Sequence, residues 1–147
     1  MQELDRRQEK YMRRPRRPSL FAPKVVKLLN TAARLGSGDG VRKDVAKSRK
    51  LYLQAAKHGS AHAYYELGMS YLLDQPKRVG DGFEWLRRAA RNGILDAQEL
   101  LGDVYARGLF NRPKNKRIAL AWYQKAVKRN SEKAKSAVRE LLGKDTS

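Results

Sequence analysis

Apolar positions along this chain recur three or four residues apart in blocks, and stretches rich in glycine, proline and charge separate the blocks. In Ala63-x3-Leu67-Gly68-x2-Tyr71 the apolar residues fall every four residues, the mark of one buried helical stripe. Ala97-x3-Leu101-Gly102-x2-Tyr105 repeats it, and Ala134-x3-Val138, ending at Leu141 and Leu142, is a degraded third copy. A different block precedes each. Leu51-Tyr-Leu-Gln-Ala-Ala-Lys-His-Gly59 matches Trp85-Leu-Arg-Arg-Ala-Ala-Arg-Asn-Gly93, and both match Trp122-Tyr-Gln-Lys-Ala-Val-Lys-Arg-Asn130, at spacings of 34 and 37 residues. Each unit therefore predicts two helices.

In the first helix of a unit a large apolar pair is followed one turn later by two small residues, on the side where a neighbouring helix can come close. Gly59 and Gly93 end that helix, because glycine reaches the left-handed conformation at little cost, and Asn130 is the usual second choice there. In the second helix Gly68 and Gly102 stand in the interior, at about 1 kcal/mol each relative to alanine. A cost paid twice at equivalent positions predicts close packing against an adjacent helix. One such hairpin cannot cover its own apolar face, so neighbours must stack into a solenoid. Spacing alone does not give its hand.

Gly38-Asp-Gly40-Val41-x2-Asp44-x3-Ser48-x2-Leu51-Tyr52-x2-Ala55-Ala56-x2-Gly59, followed by Ala63-x3-Leu67-Gly68-x2-Tyr71, resembles the Sel1-like repeat. The departures are Ser48, where that family usually has alanine, and two later loops, Asp74–Gly82 and Gly108–Lys116, which lack the Gly-Val turn and its aspartate. The tetratricopeptide repeat, with its 34-residue period and similar Leu-Gly-x2-Tyr element, is the close alternative. The double alanine and the variable spacing favour Sel1-like. The resemblance, covering residues 23 to 142, implies an all-α fold: a right-handed α-solenoid of antiparallel helix pairs, about three and a half repeats long. By the same pattern Lys24 to Leu35 is the second helix of an incomplete first repeat. The expected organisation is a basic arm over 1–20, a repeat domain over 21–143 and a short tail over 144–147.

Charge changes the picture most. Lys and Arg number 33 against 15 Asp and Glu, a net +18. Residues 1–20 hold seven bases and three acids, so +14 belongs to the remainder. Self-repulsion on that scale points to an anionic partner: an acidic protein, RNA or a membrane surface. No apolar run approaches the ~20 residues that span a bilayer. The absence of cysteine removes disulfides, thiolate metal sites and cysteine nucleophiles. With no apolar stretch after the arginines of the first twenty residues, the sequence predicts an intracellular protein of the cytoplasm or mitochondrion.

Candidate binding residues follow from repeat equivalence. Gln54, Arg88 and Lys125 share one column, and Lys57, Arg91 and Lys128 share another on the same helix face. His58, Asn92 and Arg129 flank them. The resemblance implies that first helices line the concave side, which these residues would make positive. The loop from Gly108 to Ile118 adds Arg112, Lys114, Lys116 and Arg117 beside Phe110, a mixture that suits single-stranded RNA. Arg13, Arg14, Arg16 and Arg17 form the densest cluster, suited to RNA, an acidic groove or an import receptor. Trp85, Trp122, Tyr52, Tyr123, Tyr71 and Tyr105 recur and are expected in the core. Tyr64 and Tyr65 do not recur, and one of them is expected to point outward.

His58 and His62 are separated by the helix-ending Gly59, with no third ligand near, so no metal site is expected. Gly36-Ser-Gly-Asp-Gly40 follows no strand and precedes no Gly-Lys-Ser/Thr, so it is a turn and not a phosphate loop. No nucleophile–base pair or paired carboxylates converge, and no cofactor is expected. The sequence therefore predicts a non-enzymatic scaffold or adaptor with a protein partner, an acidic one by charge. The alternative is an RNA-contacting component of a ribonucleoprotein, such as an organellar ribosome or its assembly factor.

Overall fold

The computed structural model describes residues 22–74 and 78–143, and these contain seven α-helices and no strand. The arm over 1–20 with its arginines, Lys77 and the tail over 144–147 lie outside the described residues. The chain forms two compact units that meet within one helix, at Trp85–Leu86.

The first unit contains α1 (Pro23–Ser37), α2 (Val45–Lys57), α3 (Ala61–Asp74) and the opening half of α4 (Val79–Arg91). Pro23 sits in the first turn of α1, where its missing N–H costs nothing, and the helix extends slightly past the expected Lys24 and Leu35. Gly38, at φ 83°, ends it and donates to the Arg34 carbonyl. Asp44 caps α2, its carboxylate accepting the Lys47 N–H at 2.9 Å. The buried Ser60 hydroxyl accepts the Ala63 N–H at the start of α3.

Small residues set how closely these helices approach. A Cβ on Gly36 would stand 3.0 Å from the Ser48 hydroxyl, and one on Gly82 would stand 3.1 Å from the Gly68 carbonyl. Ser48, the departure from the family's alanine, donates to the buried Ala32 carbonyl at 2.6 Å, so its hydroxyl is satisfied where alanine would have packed. The Gly36–Ser48 and Gly68–Gly82 contacts join a second helix to the first helix that follows it, which is the packing the interior glycines imply.

The second unit contains the rest of α4, α5 (Leu95–Arg107), a 3-10 turn at Leu109–Asn111, α6 (Lys116–Val127) and α7 (Glu132–Gly143). Ala119, Tyr123, Ala126 and Ala134 form its core cluster, with Leu95, Tyr105, Val138 and Leu141 packed around. Gly102 lies directly against the Tyr123 ring: a Cβ there would be 2.3 Å from Cε1. Asn115 accepts the Ile118 N–H at 3.0 Å. Although the loop before α6 lacks the family's aspartate, Asn115 performs the capping that Asp44 performs before α2.

One turn is built three times. Gly59, Gly93 and Asn130 are left-handed, and the following residue donates its N–H to the first alanine of the pair: Ser60 to Ala55, Ile94 to Ala89, Ser131 to Ala126. This is the double-bonded helix ending that the glycines predicted. Ala55, Ala89 and Ala126 are each 0% exposed.

Of the aromatic residues expected in the core, Trp85, Tyr52, Tyr71 and Tyr123 are buried, Tyr105 is half-buried against the second unit's core cluster, and Trp122 is half-buried. Tyr64, which does not recur, stacks on Trp85 with ring centroids 5.7 Å apart and helps close it from water. The residue equivalent to Tyr64 one repeat later is Gln98, whose amide donates to the Ala90 carbonyl, so no second aromatic ring recurs at that position. Tyr105 instead keeps its hydroxyl within 3.1 Å of the Arg87 guanidinium. Of the pair from which one residue was expected to point outward, Tyr64 is buried and Tyr65 is half-buried and engaged within the chain.

Candidate partner-binding surface

The acidic side chains of the second unit are largely engaged inside it. Tyr123 donates to Asp103 at 2.6 Å, and Lys133 reaches the other oxygen of that carboxylate at 2.9 Å. Ser131 donates to Glu99 while its own oxygen caps α7 through the Ala134 N–H. Glu132 pairs with Lys135. The bonds of Asp103 and Glu99 tie α5 to α6 and to the start of α7, whereas the Glu132–Lys135 pair lies on the surface of α7 alone. Burial and the hydrogen bond to Asp103 raise the Tyr123 phenol well above its ordinary range, and the same carboxylate raises the Lys133 ammonium. In the first unit, burial and then the charge of Glu66 push Tyr52 up to about 12. All three groups therefore keep their protons well past neutrality.

The candidate bases behave differently. In the second unit Arg91, Lys125 and Lys128 are exposed, and none has an ion-pair partner among the described residues. Lys125 lies 4.8 Å over the half-buried Trp122 ring, which steadies the charge without neutralising it. Arg88 is half-buried and makes interactions within the chain, so it is not a simple surface charge. The Arg129 guanidinium comes within 3.4 Å of the position a Cβ would take on Gly93. The loops after Arg91 and after Lys128 are thus neighbours, as the column argument requires within this unit. In the first unit Lys57 and Gln54 are both exposed on α2.

The loop before α6 divides its aromatic and basic residues between packing and solvent. Phe110 is half-buried at φ 54°, inside the 3-10 turn. Arg112 and Lys116 are half-buried and interact within the chain, leaving Lys114 and Arg117 exposed. His58 and His62 are both exposed, and no three potential ligands gather into a metal site among the described residues.

Repeat equivalence selects positions that recur, and for that reason it passes over Lys47 and Lys50. Both are exposed on α2 beside Gln54 and Lys57. Their counterparts are Asp81 and Glu84 in α4 and Ile118 and Ala121 in α6. Summing charge along α2 alone would have found them, because it holds four bases and no acid.

The Sel1 repeat family model matches residues 28–60, 61–94 and 95–134, three consecutive copies that cover most of the chain. The chain belongs to the Sel1 repeat family. The chain is 34% identical over 111 residues to Chitin synthase regulator SKT5 of Saccharomyces cerevisiae, and 28% identical over 108 residues to the regulator of the same name in Malassezia restricta. These matches span 73% and 71% of this chain but only 15% and 7% of the two regulators. Among solved structures, a Sel1 repeat protein from Oxalobacter formigenes superposes with a TM-score of 0.65 at 29% identity, over 75% of this chain and 45% of that one. A protective antigen of uropathogenic Escherichia coli strains, displaying an SLR fold, gives 0.66 at 30% identity, over 75% and 24%. The fold class expected from the sequence, all-α helical Sel1 repeats, stands. None of the described helices is long and apolar enough to cross a membrane.

Proposed function

We propose that this Sel1 repeat chain is a non-enzymatic adaptor, holding an acidic segment of a protein partner against the exposed bases of its first helices within a larger complex. One observation carries the reading. In the second unit the part-buried carboxylates of Glu99 and Asp103 are bonded to Ser131, Tyr123 and Lys133, while Arg91, Lys125 and Lys128 face outward without ion-pair partners among the described residues. A surface left positive in this way selects anionic partners and steers their approach. Two relatives are regulators of another protein by name, which supports an adaptor over a catalyst.

The test is charge reversal at Arg91, Lys125 and Lys128 together in the full chain. The side chains are exposed, so stability should move by no more than about 0.5 kcal/mol for each. Recovery of the partner from cell extract at physiological salt should fall about tenfold or more. Unchanged recovery would remove these residues as the site. A partner lost on nuclease treatment, with RNA co-purifying, would replace the acidic protein by a nucleic acid.

A further inference from the structure

We infer that Lys47, Lys50, Gln54 and Lys57 of α2 form a docking stripe for an acidic amphipathic helix of the partner. The inference rests on the adaptor reading above and concerns the first unit alone.

The four residues stand at i, i+3, i+7 and i+10, within about 80° of arc at 100° per residue and along about 15 Å of helix. All four are exposed, and none of the three lysines has an ion-pair partner among the described residues. Arg49, the remaining base of α2, points elsewhere: it bonds Ser70 on α3 and lies 5.1 Å over the Tyr71 ring. The stripe thus consists of the charges that packing does not use.

Its placement is unfavourable for α2 alone. Lys47 lies in the first turn, near the positive end of the helix dipole, where a base is destabilising. Lys47 and Lys50 are like charges three residues apart, a second penalty. In α4 the equivalent positions are Asp81 and Glu84, so the repeat does not demand bases there. A carboxylate-bearing partner removes both penalties on binding.

Spacing chooses the form of that partner. Rungs every three to four residues of α2 lie about 5 Å apart, the rise of one helical turn. Same-face residues of an extended strand lie about 6.6 Å apart and would slip out of step over the stripe. A helix with carboxylates at i, i+4, i+7 and i+11 keeps step. Ala46, exposed, and Leu53, half-buried, run along one edge of the stripe at the same period, so that helix carries a short apolar row beside its acids. The stripe contains no aromatic residue on which a base could stack.

The probe is a fluorescein-labelled helical peptide with glutamate at those four positions, compared with a scrambled peptide of the same composition. Binding is read by anisotropy at physiological ionic strength, with the full chain and with its Lys47→Glu/Lys50→Glu/Lys57→Glu variant. Circular dichroism confirms that the variant keeps its helix, and Lys→Gln at the same positions provides a milder change. The wild-type chain should bind the patterned peptide about tenfold more tightly than the scrambled one. The reversal should abolish that preference, and the Lys→Gln variant should reduce it. Equal affinity for the two peptides, or a preference that survives the reversal, would overturn the assignment of α2 while leaving an acidic partner in place. Binding of oligouridylate with neither acidic peptide bound would defeat the adaptor reading itself.

Discussion

Trp85→Ala should destabilise the protein by about 3–5 kcal/mol, the range for truncating a fully buried large aromatic. The indole is 0% exposed and stacks on Tyr64 across the short distance between α3 and α4. Its ring N–H has no hydrogen-bond partner among the described residues, so what holds it is packing. Removing the ring takes away the apolar transfer energy and leaves a void that the helix backbones close only in part. The result should be a lower urea midpoint with m unchanged. A loss under about 1.5 kcal/mol would mean that the site collapses freely and that the Tyr64–Trp85 stack does not hold the first unit together.

Gly102→Ala should cost about 2–3 kcal/mol, against the direction helix propensity alone would give. Alanine is the better helix former by about 1 kcal/mol, so on an exposed helix the change would stabilise. Here the new methyl would stand 2.3–2.8 Å from three atoms of the Tyr123 ring. That ring cannot swing aside without breaking the bond from its hydroxyl to Asp103, and overpacking of this kind costs about 1–3 kcal/mol or more. Gly102→Ala with Tyr123→Leu should recover part of the loss, and full additivity of the two changes would contradict the contact. At the equivalent position of α7 stands Arg139, exposed, so the glycine is lost where no clash enforces it.

The helices were legible because their constraints are local. Double alanines, cap glycines and four-residue stripes each follow from what a helix face or a helix end requires, and Gly59, Gly93 and Asn130 take the backbone conformations their residue types implied. Interior glycines were legible for the same reason, since a repeated cost announces a repeated contact. Residues whose role depends on a partner in another helix were harder. Recurrence could not say which of Tyr64 and Tyr65 is buried, yet Tyr64 stacks on Trp85; Trp122 looked like core because it does recur, yet it is only half-buried. Asn115 hid as a missing aspartate. For the candidate surface, recurrence found Lys57, Arg91, Lys125 and Lys128, but it could not show that the nearby carboxylates are bonded internally, nor could it see the bases peculiar to one helix.

The measurement that bears most directly on the functional account is site-specific photo-crosslinking in cells. A photoreactive residue would replace Gln54 on α2 or Gln124 on α6, both exposed on first helices, with Asn30 on α1 and Ser136 on α7 as exposed positions on second helices. The account predicts a discrete protein adduct from Gln54 and Gln124, weakened by added salt, with little from Asn30 or Ser136. Adducts of equal yield from all four positions, or adducts to RNA from the first-helix positions, would contradict it.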